Sequence, residues 1–260
     1  MEFETLRYGV GDGIAEIRFN RPHRLNAVTA QLYDELARAL DAAESDGTVR
    51  VVLLTGEGRA FCVGADLKEH KAGRTAFDRR QYLRGEQVAC RRLLQLGKPV
   101  VAAVNGYALG AGAEMAVASD FIVMAESARI GFPELGLGNA LGGGVTWLLP
   151  RLVGLARARE LVFLGERIDG AEAVRIGLAN RVFADDKFIE SARAFAAAIA
   201  AKAPHSMRLA KEQLNLAAER TLDAALVAEL EGMTFAGTTR DWQEGVDAFA
   251  EKRTPVFTGE

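Results

Sequence analysis

The sequence has few residues of the kinds that build covalent or metal-linked scaffolds. Its two cysteines, Cys62 and Cys90, fit no CxxC pattern and are too few for a disulfide framework. Its three histidines, His23, His70 and His205, are scattered without ligand spacing. Each reads as a surface or loop residue, and no metal site is expected. No uninterrupted apolar run reaches the roughly 18 residues of a membrane span. A net charge of −3 over 260 residues offers no field for nucleic acid or an anionic membrane, though a local basic patch for an acidic small molecule is compatible with it. The opening MEFETLRYGV has neither the basic leader nor the apolar stretch of a secretory signal. A reduced, cytoplasmic setting is the simplest expectation.

Several catalytic signatures are also missing. There is no G-x-S-x-G elbow for a serine nucleophile. There is no GxxxxGK[ST] loop for phosphoryl transfer. Gly110-Ala111-Gly112 follows a strand-like run and opens a helix-like one, as a dinucleotide fingerprint does, with Glu134 further on. The third glycine would fall on Met115, however, and the five-residue stretch Asn105–Leu109 replaces the tight turn. An NAD-dependent oxidoreductase is therefore kept only as an alternative. Cys62 reads as a small buried hydrophobe beside a strand end rather than a reactive thiol.

What is present is alternation. A hydrophobic fraction of 49% is enough for one sizeable core. Ile14–Phe19 alternates polar and apolar residues, as a half-buried strand does. Thr29 is placed to cap a helix bearing Leu32, Leu36, Leu40 and Ala43. Arg50–Thr55, Val100–Val104 and Phe121–Ala125 read as buried strands. Ala76–Leu96 and Ala111–Ser119 have helical composition. From Ala156 onward nearly every segment carries apolar residues at helical spacing: Ala171–Ile176, Phe188–Lys202, Ser206–Ala218, Leu222–Phe235 and Trp242–Lys252. The expectation is an α/β core with largely parallel pairing, followed by a helical C-terminal region. The run Gly136–Gly144 reads as a turn before a helix at Val145–Leu149, with a role in shaping a substrate site.

Four stretches together resemble the crotonase (enoyl-CoA hydratase/isomerase) superfamily over essentially the whole chain. They are Asn20-Arg21-Pro22-His23-Arg24-Leu25-Asn26-Ala27; Ala60-Phe61-Cys62-Val63-Gly64-Ala65-Asp66-Leu67; Lys98-Pro99 with Asn105-Gly106-Tyr107-Ala108-Leu109-Gly110-Ala111-Gly112-Ala113-Glu114; and Phe132-Pro133-Glu134 with the later Pro150-Arg151-Leu152-Val153-Gly154. The ending Phe249–Phe257 is similar too. The resemblance implies an α/β spiral of repeated ββα units over residues 1–195 and a helical trimerisation region over 196–260. It also implies assembly as a homotrimer or a dimer of trimers.

By the same resemblance, Glu114 and Glu134 are the acid–base pair of an enoyl-CoA hydratase, and the backbone N–H groups of Ala65 and Ala111 are its oxyanion hole. Glu134 is expected to protonate the α-carbon and an ionised Glu114 to deprotonate water. The residues support this on their own terms. Glu114 stands among Gly112, Ala113, Met115, Ala116 and Val117, where a carboxyl is rarely buried without purpose. Ala65 and Ala111 have glycine neighbours, which let a backbone approach a ligand closely. Two close carboxylates are expected to leave one proton donor at neutral pH. The resemblance places an acyl-CoA substrate against Arg24, Ala27, Ala65, Asp66, Leu67, Lys68, Tyr107, Leu109, Gly110, Pro133, Leu141, Gly142, Trp147, Phe249 and Lys252. Coenzyme A is then part of the substrate, and no separate cofactor is expected. Two departures bear on specificity. Leu141 and Trp147 are bulky within Leu141–Trp147, and Ala111 stands where glycine is common in the family. Double-bond isomerisation, or another acyl-CoA reaction of the superfamily, is the alternative within this reading.

Overall fold

A computed structural model describes residues 2–68 and 75–260 of the chain. His70 lies outside the described residues.

The chain opens with a hairpin, β1 (Leu6–Gly11) and β2 (Ile14–Phe19), joined by Asp12-Gly13. Both turn residues have positive φ, 51° and 75°, the geometry of the two-residue turn that matches strand twist. Helix α1 (Ala30–Ser45) follows; the Thr29 side chain caps it by accepting from Leu32 N–H. Its buried stripe, Leu32, Leu36, Leu40 and Ala43, is the spacing seen in the sequence.

Three ββα repeats come next: β3 (Val51–Gly56), β4 (Ala60–Cys62) and α2 (Ala76–Gln95); β5 (Val100–Val104), β6 (Tyr107–Leu109) and α3 (Ala111–Val117); then β7 (Phe121–Ala125), β8 (Arg129–Gly131), a 3-10 turn at Glu134–Leu137, and α4 (Val145–Val153). In each repeat the first strand enters one sheet and the second enters another. The larger sheet runs β1-β2-β3-β5-β7-β10, where β10 is Arg181–Phe183; it is parallel except for the opening hairpin. The smaller runs β4-β6-β8-β9, with β9 at Ile168–Asp169. This is the spiral of ββα units expected from the resemblance.

Strands β3 and β5 are buried along their whole length, which explains their uninterrupted apolar sequence. The two sheets meet through contacts such as Phe19 on Phe61, ring centres 5.3 Å apart. Helices α5 (Leu155–Leu164), α6 (Gly170–Arg175) and α7 (Phe188–Ala200) complete the body, α7 packing on the larger sheet. Residues 195 and 196 are both within α7. The stretch after Ala156 is less uniformly helical than its spacing suggests, since β9 and β10 fall inside it. Helices α8 (Pro204–Leu216), α9 (Leu222–Ala236) and α10 (Arg240–Glu251) end the chain. Among the described residues no helix is long and apolar enough to cross a membrane.

Candidate active site

The Asn20–Ala27 stretch forms a brace. Asn26 accepts from Arg21 N–H (2.8 Å) and donates to the carbonyls of Glu57 (3.0 Å) and Ala60 (2.8 Å). The Arg21 guanidinium bonds the Ala27 carbonyl and the buried Asp66 carboxylate (3.0 Å). That pairing holds the Asp66 carboxyl below its ordinary range, against the effect of its burial. Next to it, Val28 N–H donates to Gly64 C=O (2.8 Å) and Asp66 N–H to Val28 C=O (2.9 Å). These bonds fix the backbone on either side of Ala65 and leave its own N–H without an acceptor among the described residues.

Ala111 opens α3, so its N–H is one of the orphan donors of a helix start. The backbone reaches this position only by passing very close to β4: a Cβ on Gly112 would sit 2.0 Å from the Cys62 carbonyl oxygen. The Gly64 Cα side faces the same place, since a Cβ there would be 3.5 Å from the Ala111 nitrogen. Two unpaired donors thus border one cavity of about 490 Å³, lined by Ala65, Gly110, Ala111, Glu114, Pro133 and Glu134 and by the Leu137–Gly142 loop.

Glu114 is 2% exposed, within a helix buried throughout. Its Oε1 accepts from Gly142 N–H (2.8 Å), while Oε2 is buried without a donor. Burial first, and the neighbouring Glu86 carboxyl second, push Glu114 up to about 9. Glu134 begins the 3-10 turn, also buried, with neither carboxyl oxygen receiving a hydrogen bond among the described residues. Its Oε1 is beside Gly110, 3.1 Å from where a Cβ would be, so it faces the start of α3. Burial raises its proton affinity as well. Both shifts run toward holding a proton, and in both burial is the first cause. Burial, and after it the Glu86 carboxyl, thus raise the proton affinity of the group that the sequence reading had ionised; Glu86 was not part of that reading.

Glu86 is a third buried carboxylate on the cavity wall, projecting from α2. Its Oε1 accepts from Gly143 N–H (3.0 Å), and Tyr33 Oη is 3.4 Å from its Oε2. A signal for it was present. Tyr82, Glu86, Ala89, Cys90 and Leu93 are the buried face of α2, so the glutamate occupies an apolar-stripe position. Arg79, Leu83 and Gln87 of the same helix also line the cavity.

Of the residues expected to touch substrate, Ala65, Leu67, Gly110, Pro133, Leu141 and Gly142 line this cavity together with Ala111, Glu114 and Glu134. Arg24, Ala27, Asp66, Lys68, Tyr107, Leu109, Trp147, Phe249 and Lys252 do not. Ala27 and Asp66 belong to the brace. Trp147 lies under the Arg151 guanidinium, 3.7 Å from its ring centre. Tyr107 is exposed, with Arg167 5.8 Å from its ring centre. Phe249 and Lys252 are exposed at the end of α10. Cys62 is fully buried and its thiol is pushed up to about 12, so it is no nucleophile. His23 is exposed, and His205 bonds the Gly259 carbonyl (2.9 Å). Among the described residues no group of three or more His, Cys, Asp or Glu side chains is placed to hold a metal. A larger open groove of about 700 Å³ runs along β1 and β2; its Glu16 is tied to Arg18 (2.5 Å) and Arg193 (2.8 Å) and its Asp12 is exposed, unlike the buried glutamates of the cavity.

Residues 9–260 match the profile of the family described as enoyl-CoA hydratase/isomerase. The chain belongs to that family. It is 38% identical to the 1,2-epoxyphenylacetyl-CoA isomerase of Escherichia coli over 98% of its length and 99% of the relative's. It is 39% identical to the short-chain-enoyl-CoA hydratase of Clostridium acetobutylicum, with 92% of each chain covered. Among solved structures, an enoyl-CoA hydratase from Bacillus anthracis superimposes with a TM-score of 0.95 at 37% identity, covering 99% of this chain and all of that one. For this enoyl-CoA hydratase/isomerase family member, the dinucleotide alternative loses its footing in the fold as well. The strand before Gly110 is the three-residue β6 of the smaller sheet, and Met115 is buried where the third glycine would be.

Proposed function

We infer that this chain is an enoyl-CoA hydratase, adding water reversibly to a 2-enoyl-CoA thioester. The observation that carries the reading is the convergence on one cavity of two unpaired backbone N–H groups, at Ala65 and Ala111, and two buried glutamates without full hydrogen bonding, Glu114 and Glu134. The two N–H groups donate to the thioester oxygen, where negative charge grows as water attacks. Fixed donors in a dry site lower that barrier, each by about 2.7–4 kcal/mol. Water adds at the β-carbon and loses a proton to Glu114. The electron pair passes through the enolate, and Glu134 delivers a proton to the α-carbon. The proton gained by Glu114 then returns to Glu134, which restores the starting state. A glutamate with raised proton affinity is a stronger base once ionised, which suits removal of a proton from water.

The reading includes a homotrimer or a dimer of trimers. The exposed Leu222, Leu226, Leu230 and Met233 of α9 support it, and Phe249 and Lys252 do not line this chain's own cavity. In such an assembly those two residues serve a neighbouring subunit's CoA.

Isomerisation at the same thioester is the second reading, favoured by the isomerase name of one relative. A panel of thioesters separates the two. The purified protein is given 2-enoyl-CoA and 3-enoyl-CoA substrates of several chain lengths, and the products are followed by absorbance and proton NMR. Loss of the conjugated chromophore with formation of a 3-hydroxyacyl product is expected. Interconversion of 2- and 3-enoyl isomers with no hydroxyacyl product would overturn the hydratase reading.

A further inference from the structure

Glu86 and Glu114 are held by successive amides of one turn. Gly142 N–H donates to Glu114 Oε1 at 2.8 Å, and Gly143 N–H to Glu86 Oε1 at 3.0 Å. Glu86 lines the cavity, is 8% exposed, and its carboxyl lies beside that of Glu114: one Cβ position on Gly142 would be 1.7 Å from Glu86 Oε1 and 3.3 Å from Glu114 Oε2. The turn is built around this pair. A Cβ on Gly143, where φ is +57°, would be 2.7 Å from Glu114 Cβ. Glu114 Oε2 is left buried without a donor. Two carboxylates so close cannot both be ionised, and one proton between them supplies the hydrogen bond that the geometry lacks.

We propose that Glu86 is a positioning residue for Glu114, sharing one proton with it across the Gly142–Gly143 turn, so that Glu114 turns an ionised oxygen toward water whenever the proton rests on Glu86. No group is oxidised or reduced; a proton moves along one carboxyl–carboxylate hydrogen bond. Other groups facing Glu86 do not replace this partner. Tyr33 of α1 and Cys62 of β4 are neutral at pH 7, as is Cys90 of α2, burial pushing all three up. Tyr82 gives its hydroxyl to the Val28 carbonyl (3.2 Å). Glu134 adds a like charge. Arg79, about two turns earlier on α2, bonds the Asn139 side chain (3.1 Å). The proposal rests on the reading of Glu114 as the group that handles water's proton.

The test compares wild type, Glu86→Gln and Glu86→Asp. Glutamine keeps the shape but neither carries charge nor accepts the proton. The acid limb of the kcat–pH profile on crotonyl-CoA is expected to move down by about one pH unit or more, the size of effect of a close like charge. The plateau kcat falls while KM holds. Glu86→Asp retains the charge, so its limb stays near wild type. An unmoved limb in Glu86→Gln would overturn the proposal. A second readout needs neither activity nor the Glu86→Gln variant. Difference infrared spectra of wild type and Glu114→Gln at neutral pH are expected to show a protonated carboxyl band in the former that is lost in the latter. No such band in wild type also overturns the proposal. A wild type inactive on every enoyl-CoA would sink the hydratase reading alone, and the infrared result would still decide the shared proton.

Discussion

A methyl group on Gly142 would sit 1.7 Å from Oε1 of Glu86 and 3.3 Å from Oε2 of Glu114. Neither carboxyl has room to withdraw, since both are buried and both are bonded to this turn. Gly142→Ala is expected to lower hydratase kcat tenfold or more by general acid–base disruption, and to cost about 1–3 kcal/mol of stability by overpacking. Steady-state kinetics and thermal unfolding check the two separately; full activity with unchanged stability would mean that the turn is slacker than drawn. At this scale much of the cavity was legible. Glu114 stood out because a carboxyl in a wholly apolar helix needs a reason. Ala65 and Ala111 were named by the family resemblance, and their glycine neighbours agreed with it. Glu86 did not, because α2 also carries many exposed charges, and only the stripe through Tyr82, Cys90 and Leu93 separates it from them.

Among elements, α8 is tied to the core by Lys211 and by Asn215, which donates to the Leu94 carbonyl (2.9 Å). Lys211 Nζ donates to Asp120 (2.7 Å) and to the carbonyls of Leu93 (3.2 Å) and Lys98 (3.1 Å), with its side chain 6% exposed. Lys211→Met leaves a buried carboxylate and two carbonyls without their cation. Breaking a buried pair from one side costs about 3–5 kcal/mol, which lowers Tm by roughly 10 °C in a chain of this size. A Tm within a degree or two of wild type would contradict that role. Long elements were read well from sequence: β2 and α1 lie where periodicity put them, β3, β5 and β7 where apolar runs did, and α2 where helical composition did. The smaller sheet was not read, because β4, β6, β8 and β9 are two or three residues each, too short to show alternation. Strand β1 was also passed over, although Asp12-Gly13 is a strong hairpin signal. These short strands lead into the cavity wall, since β4 (Ala60–Cys62) ends shortly before Ala65 and β6 (Tyr107–Leu109) shortly before Ala111.

For the whole molecule, the buried carboxyls set how stability varies with pH. Glu114 rises from 4.5 to about 9 on folding, and Glu86 and Glu134 shift in the same direction. Between those values the folded chain holds a proton that the unfolded chain releases, so stability falls as pH rises through that window. Tm is therefore expected to decline from about pH 5 toward pH 9, and Glu114→Gln to flatten the slope; a wild-type Tm rising steadily over the same range would count against the buried, protonated cluster. The fold as a whole was legible through ordered motifs, and the cavity through chemistry, but the distribution of charge needed the third dimension that brings α2 to α3. The most direct test is the rate of loss of conjugated absorbance from crotonyl-CoA by wild type, Glu114→Gln and Glu134→Gln at one pH. Wild type should turn over, and each variant should be slower by about 10²–10⁴-fold while remaining folded. Either glutamine variant working at the wild-type rate would contradict the two-glutamate mechanism.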